Sequence, residues 1–278
     1  MVDPRTDRDR LVGHAYKTSA PFLARTGLYR YQRDPIDIRR WVLGRAQWAP
    51  DARMLDVGCG PGRYLATLRE VGPSSAALGM DLSAGMAAEA FSFAPTLVGD
   101  AQAIPFRSDA FDAVLAAHML YHVPDIDAAL REIARVLRPD GTLLVVLNGR
   151  AHLPAMRTLV RQVLGDVVRD SAARNLPERS LPERSSERLS IETAEPVLTK
   201  CFSVLAFEHL QRVLDVPDAE PVVAYVDSMR SFYEGYLPTG FDWPLLLERV
   251  RAGVDATIAT EGVWTDTSDA GCFVCRPG

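Results

Sequence analysis

The run Met54-Leu55-Asp56-Val57-Gly58-Cys59-Gly60-Pro61-Gly62 constrains this chain more than any other. It reads as a short apolar strand that ends in a glycine-rich turn and then opens a helix. Glycine adopts positive φ at no steric cost and lets a backbone approach a ligand, while a helix N-terminus presents unpaired N–H groups. Such turns lie at the carboxyl edge of a parallel sheet, where open α/β folds bind ligands. The turn alone is weak evidence, because nicotinamide and flavin proteins use a related one. Three departures narrow it: the spacing is G-x-G-x-G, Asp56 lies two residues before the first glycine, and more acids follow downstream.

From residue 53 to 148 short apolar runs alternate with amphipathic stretches, the pattern of a parallel α/β sheet. The runs cover 53–57, 76–80, 96–98, 111–117 and 142–147. Between the last two, Leu130, Ile133, Ala134 and Leu137 recur at helical spacing, and the helix is expected to stop at Pro139 and Gly141. Residues 8–48 read as a helical cap carrying Tyr16, Phe22, Tyr29, Tyr31 and Trp41. Residues 149–198 read as one further helix and a mobile loop, in which LPERS occurs at 176–180 and again at 181–185. The remainder, 199–278, reads as strands at 200–209 and 271–276 with helices at 218–234 and 244–258. No linker separates two domains, so 1–278 is expected to be one domain around the 51–148 core.

Acids end the first three strands. Asp81 closes the second, 21 residues beyond Gly60, where a carboxylate accepts both hydroxyls of a ribose. Asp100 closes the third, where it can receive an exocyclic amino group. Taken in order, LDVGCGPG, GMDLSAGM, GDAQAIPF, FDAVLAAHMLYHVPD and LREIARVLRPDG resemble the class I S-adenosylmethionine-dependent methyltransferases. The likeness is nearest to the small-molecule group that includes ubiquinone- and menaquinone-biosynthesis methyltransferases, and it covers about 100 contiguous residues.

That resemblance implies a Rossmann-like, seven-stranded, mostly parallel α/β sheet with an antiparallel last strand. It also implies a helical lid built from the N-terminus and from the segment after strand five. S-adenosyl-L-methionine would be the cofactor, leaving as S-adenosyl-L-homocysteine. Gly58, Cys59, Gly60 and Gly62 would back its methionine part, with Asp56 near the amino group. Asp81 would hold the ribose diol, Asp100 and the Ala101 N–H the adenine, with Leu82 and Gln102 beside the ring. Ala117 and His118 would border the methionine moiety. Methyl transfer from a sulfonium is an in-line displacement, so an enzyme chiefly aligns donor and acceptor and excludes water. An acceptor that also loses a proton needs a base. His118, Tyr121 and His122, at or just after the fourth strand, are the catalytic candidates. Tyr16, Phe22, Tyr29, His152 and Phe232 are candidates for the substrate pocket, and so many apolar and aromatic groups favour an apolar or aromatic acceptor. Tyr225, Tyr233, Tyr236 and Trp243 could line the other wall or be ordinary helix packing.

Composition sorts the alternatives. With 31 basic against 36 acidic residues the formal charge is -5. That argues against an rRNA or tRNA methyltransferase, as do the Arg clusters at 5–10 and 179–188, which acids interrupt. A non-catalytic cofactor-binding relative is opposed by the intact glycines and acids. Only Lys17 and Lys200 are lysine, and this Arg-rich composition suits a high-GC source and natural-product biosynthesis. No apolar run reaches the roughly 18 residues of a membrane span, and the mixed-charge N-terminus lacks a secretory h-region. A cytoplasmic protein with a small-molecule substrate is expected, with no metal, nucleic-acid or membrane partner. The N-terminal helix could pack on its own chain or on a neighbour's in a homo-oligomer. Cys272 and Cys275 have C-x-x-C spacing, but on a strand residues three apart face opposite sides, so buried thiols are expected rather than a metal or redox pair.

Overall fold

Seven strands form one sheet in the computed structural model of the chain, which describes residues 3, 5–46, 49–71, 77–170, 185–233, 236–238 and 240–278. They are β1 (Met54–Val57), β2 (Ala77–Asp81), β3 (Thr96–Val98), β4 (Phe111–Ala117), β5 (Leu137–Asn148), β6 (Phe202–Val216) and β7 (Trp264–Pro277). Their order is β3-β2-β1-β4-β5-β7-β6, and β7 alone runs antiparallel to its neighbours. The expected reversal of the last strand is therefore present.

Strand alternation decides the two faces. Leu55, Val57, Val114, Ala116, Val145, Phe273 and Cys275 pack on one side. Leu115, Leu144, Val146, Cys272 and Val274 pack on the other. Cys272 and Cys275 thus part to opposite faces as the spacing predicts. Both are unpaired, and burial pushes each thiol up to about 12.

The helices are α1 (Arg8–Arg10), α2 (Ala20–Gly27), α3 (Ile38–Leu43), α4 (Arg63–Val71), α5 (Ala84–Ala90), α6 (Ile126–Val136), α7 (Pro154–Asp170), α8 (Ser185–Arg188), α9 (Glu195–Leu198), α10 (Glu220–Ser228), α11 (Arg230–Tyr233) and α12 (Trp243–Glu261). A π-turn spans Leu11–Ala15, and 3-10 turns span Leu28–Tyr31 and Leu120–His122. Helices α7, α10 and α12 form a second core with the ends of β6 and β7, through Val160, Val226, Trp243, Val250, Leu214 and Trp264. Leu28 of the N-terminal cap inserts into that core, which fixes the cap over the sheet edge.

Several boundaries differ from expectation. Helix α6 ends at Val136, because Leu137 is already extended (φ -81, ψ 140) and pairs with Phe111. Arg138, which precedes Pro139, is likewise driven out of the helical region, so 137–141 opens β5. Strands β6 and β7 outrun 200–209 and 271–276 because they pair as a ribbon from Phe202↔Pro277 to Val216↔Trp264. Gln211, Arg212, Thr265 and Thr267 give that extension a polar pattern that hid it. The 218–234 helix breaks at Met229 into α10 and α11, and the 8–48 cap is three helices joined by turns. The LPERS repeats lie outside the described residues, apart from Ser185, as do residues 47, 48, 76 and 234.

Candidate active site

The glycine turn is shaped by its neighbours. The N–H groups of Gly58 and Cys59 both donate to the Met80 carbonyl, at 2.7 and 3.1 Å, and tie the turn to the tip of β2. Gly58, Gly60 and Gly62 have φ of +70, +54 and +81. A Cβ on Gly58 would lie 2.7 Å from Met119 Cβ, and one on Gly62 2.9 Å from Ala90 Cα. One on Gly60 would meet nothing within 4 Å. Packing explains two of the glycines, and Gly60 faces open space.

The strand-tip acids sit around that space. Asp81 accepts from the Gly60 N–H and the Ser83 N–H, each at 2.8 Å, and burial lifts its carboxyl above the usual range against these two bonds. Asp56 is 2% exposed, and its Oδ2 has no hydrogen-bond partner among the described residues. Burial, and then the nearby Asp81 charge, hold its carboxyl well above the ordinary value. An unpaired buried carboxylate oxygen is destabilising unless another group meets it. Asp100 Oδ1 accepts from the Gln102 N–H at 2.9 Å and from Gln102 Nε2 at 3.0 Å. Gln102 Oε1 in turn accepts from the Asp125 N–H at 3.1 Å. Among the described residues no acceptor meets the N–H of buried Ala101. Leu82 is half-buried beside Asp81, and Cys59 is buried with its thiol pushed up by burial.

The N-terminal cap closes on the same edge. The Tyr16 carbonyl accepts from Ser83 Oγ at 2.7 Å, the Ser19 N–H donates to Glu89 at 3.1 Å, and Arg8 Nη1 lies 3.5 Å from Asp100 Oδ2. The approach is so close that a Cβ on Gly85 would collide with the Lys17 carbonyl oxygen.

Beneath the cap lie the histidines. His118 follows β4 with φ +55, next to Ala117, and its backbone N–H donates to Val146 at 2.9 Å. Burial lowers its pKa to about 4. His122 Nδ1 lies 3.0 Å from the Arg5 carbonyl, an acceptor only, so Nδ1 carries the proton. Nε2 then accepts the Tyr16 hydroxyl at 2.9 Å. His152 has the opposite tautomer: Nδ1 accepts the Asp269 N–H at 3.1 Å, so Nε2–H donates to Tyr29 Oη at 2.9 Å. Burial lowers His122 to about 4 and His152 to about 3.

Of the expected pocket residues, Tyr16 and Phe232 pack around His122. The Phe232 ring stacks on it at 6.1 Å, and Tyr16 meets it edge-on at 5.4 Å. Tyr121 is buried against His122 at 4.7 Å, and its phenol is raised well above 10 by burial. Phe22 is half-buried and joins none of these ring contacts. Trp243 packs on Tyr233 and donates Nε1–H to Asp227 at 2.8 Å, ordinary helix packing. Sequence reasoning missed Arg25, which sits over the Tyr16 ring at 5.3 Å. Nothing marks it among the 29 arginines left when Lys17 and Lys200 are taken from the 31 basic residues. It also missed Asp269, whose backbone orients His152 and whose Oδ1 pairs with His209 Nε2 at 2.5 Å. Among the described residues no group of His, Cys, Asp or Glu is placed to hold a metal ion, and no helix is long and apolar enough to cross a membrane.

A glycine turn on β1, acids at the tips of β1 to β3 and this strand order together define a Rossmann-like class I methyltransferase fold. Residues 55–145 match the family described as methyltransferase domain. It is 37% identical over 110 residues to a demethylmenaquinone methyltransferase of Roseiflexus castenholzii, covering 38% of this chain and 46% of that one. It is 34% identical over 152 residues to a 2-phytyl-1,4-naphtoquinone methyltransferase of Synechococcus elongatus, covering 49% and 65%. The chain thus spans about half the length of the curated relatives it matches. The [4+2]-cyclase SpnF shares the fold, with a TM-score of 0.53 at 16% identity, over 95% of this chain and 96% of that one.

Proposed function

We propose that the protein transfers the methyl group of S-adenosyl-L-methionine to a small, apolar or aromatic acceptor. The observation that carries the reading is the pairing of open space at Gly60 with the unpartnered Asp56 Oδ2 on one edge of the sheet. An adenosylated amino acid with a sulfonium fits these groups. Asp56 would hold its cationic amino group, the remaining lone pairs of Asp81 its ribose diol, and Asp100 and the Ala101 N–H its adenine. Leu82 and Gln102 flank the ring, and Gly58, Cys59, Gly60 and Gly62 form the back wall. The bound cofactor supplies a methyl group open to in-line displacement.

The chain's own contribution is alignment, exclusion of water and management of one proton. The cap, seated through the Tyr16 carbonyl and Ser83, covers the reacting region. Tyr121 keeps its proton and shapes the wall. Where the acceptor must lose a proton, Tyr16 and His122 hold it: the Tyr16 oxygen takes it as the Tyr16 proton passes to His122 Nε2. His118 and Ala117 border the methionine side, while His152 and Tyr29 support the far wall. The names of the quinone methyltransferase relatives favour an aromatic acceptor. Natural-product biosynthesis suits the Arg-rich composition, and a reducing compartment such as the cytoplasm suits four unpaired cysteines.

The reading is tested by incubating the protein with methyl-labelled S-adenosylmethionine and an extract of the source organism. Label in the solvent-extractable fraction is expected, and mass spectrometry then names the acceptor. Label in RNA would overturn the substrate class, and label in no fraction would count against turnover.

A further inference from the structure

One cation inside the roof has no counter-ion among the described residues. Arg25, on α2, lies with its guanidinium 5.3 Å from the Tyr16 ring centroid and 5.9 Å from that of Phe232. Its Nη1 donates to the Ser228 carbonyl at 3.1 Å. Among the described residues its buried Nη2 makes no hydrogen bond of good geometry and no carboxylate pairs with it, although the Tyr16 hydroxyl lies close enough to feel the guanidinium. The surface arginines behave differently: Arg33 pairs with Asp215, Arg39 with Asp37 and Arg135 with Glu132. Cation–π contact offsets part of the loss of water, but a guanidinium fork is built for two planar oxygens.

The surroundings supply the rest of an anion seat. Tyr16 and Phe232 are the rings that also flank His122. The Tyr121 hydroxyl is a donor that stays protonated and meets no acceptor among the described residues. The charges of Arg25, Arg5 and Arg188 all bear on His122, so this end of the site is electropositive. Arg5 and Arg188 both have Asp3 nearby, and Arg188 Nη1 lies 3.5 Å from its Oδ2. Arg25 has no such relief.

Resting on the methyl-transfer reading above, we propose that Arg25 Nη2, assisted by the Tyr121 hydroxyl, seats an anionic oxygen of the acceptor. The acceptor is then an aromatic or apolar small molecule that carries a carboxylate or an ionised phenol, not a neutral hydrocarbon-like one. Seated there, the anion lies beside the Tyr16 ring, within the region that the cap covers.

The test titrates the protein, loaded with S-adenosylhomocysteine, with benzoate, with 4-nitrophenol at mildly alkaline pH, and with neutral benzamide. At least one anion is expected to bind about tenfold or more tighter than benzamide, the scale of a charge-assisted hydrogen bond. A preference for nitrophenolate assigns a phenolate, and one for benzoate a carboxylate. Arg25→Gln should erase the preference and Arg25→Lys should retain part of it, both with S-adenosylhomocysteine affinity unchanged. Equal binding of benzamide and the anions, binding of none of the three, or an undiminished preference in Arg25→Gln would overturn the proposal. Should S-adenosylhomocysteine itself not bind, the methyl-transfer reading fails, and the same titrations without it still read the Arg25 seat.

Discussion

The Tyr16 hydroxyl lies 2.9 Å from Nε2 of His122, joining the N-terminal cap to the turn that follows β4. With Nδ1–H given to the Arg5 carbonyl, His122 is held neutral with Nε2 as its acceptor. His152 is held neutral with Nδ1 as acceptor. Two neutral histidines of opposite tautomer therefore sit under one roof. The folded pKa values, about 4 and about 3, lie below the unfolded value near 6.5. Their contribution to stability is thus present above about 6.5 and lost as pH falls toward the folded values. Ring nitrogen NMR spectra should show both tautomers unchanged from neutral pH to about pH 5. Titration of either ring near its free value would contradict the assignment.

Gly60 and Gly62 should respond differently to alanine. Gly62→Ala meets Ala90 Cα at 2.9 Å and a left-handed backbone, so overpacking of about 1–3 kcal/mol adds to about 1–2 kcal/mol of strain. Gly60→Ala carries the strain alone but intrudes on the space assigned to cofactor. Thermal melts should rank Gly62→Ala well below Gly60→Ala, and Gly60→Ala should still lose S-adenosylhomocysteine affinity. A Gly60→Ala protein that binds like wild type would remove that glycine from the site.

Asp56 is a stability cost that cofactor binding would relieve in the proposed reading. Its raised carboxyl makes a contribution present in acid and lost as pH rises through the folded value. Asp56→Asn should therefore melt above wild type at neutral pH, by roughly 2–4 °C for each kcal/mol recovered, with the gap narrowing in acid. The same variant should bind S-adenosylhomocysteine more weakly. A gap that stays constant with pH would show that the carboxyl does not titrate as described.

The seat of the cap rests on a small residue. Gly85→Ala places a methyl group against the Lys17 carbonyl, so the cap should lift while the sheet core stays intact. Hydrogen exchange should quicken across residues 8–19 and remain slow in β1, β4 and β5. Unchanged exchange in the cap would mean that its contact at α5 yields without cost.

How much of this was legible in the chain differs from part to part. The placement of Asp56, Gly58, Gly60 and Asp81 at strand tips and in the turn could be read because strand, turn and helix follow one another locally. The alternation marked the parallel α/β core, while the seven strands and the reversed last one came from the family resemblance. Tyr16 and His122, or Tyr29 and His152, meet across more than 100 residues of chain, and no local pattern encodes such a contact. Arg25 was invisible because its meaning is the lack of a carboxylate partner among the described residues, which appears only once α2, α10 and the Tyr16 loop are packed together. The β6–β7 ribbon was underestimated because the part beyond the expected ends, 210–216 and 264–270, is rich in polar residues such as Gln211, Arg212, Thr265 and Thr267, which mask the strand pattern.

Calorimetric titration of S-adenosylhomocysteine into the wild type and into Asp81→Ala tests the central claim most directly. One site per chain is expected in the wild type, with affinity about tenfold or more weaker in the variant, given about 1.5–3 kcal/mol for hydrogen bonds to a charged group. No binding to the wild type, or equal affinity in the two proteins, would contradict the assignment of this sheet edge to the cofactor.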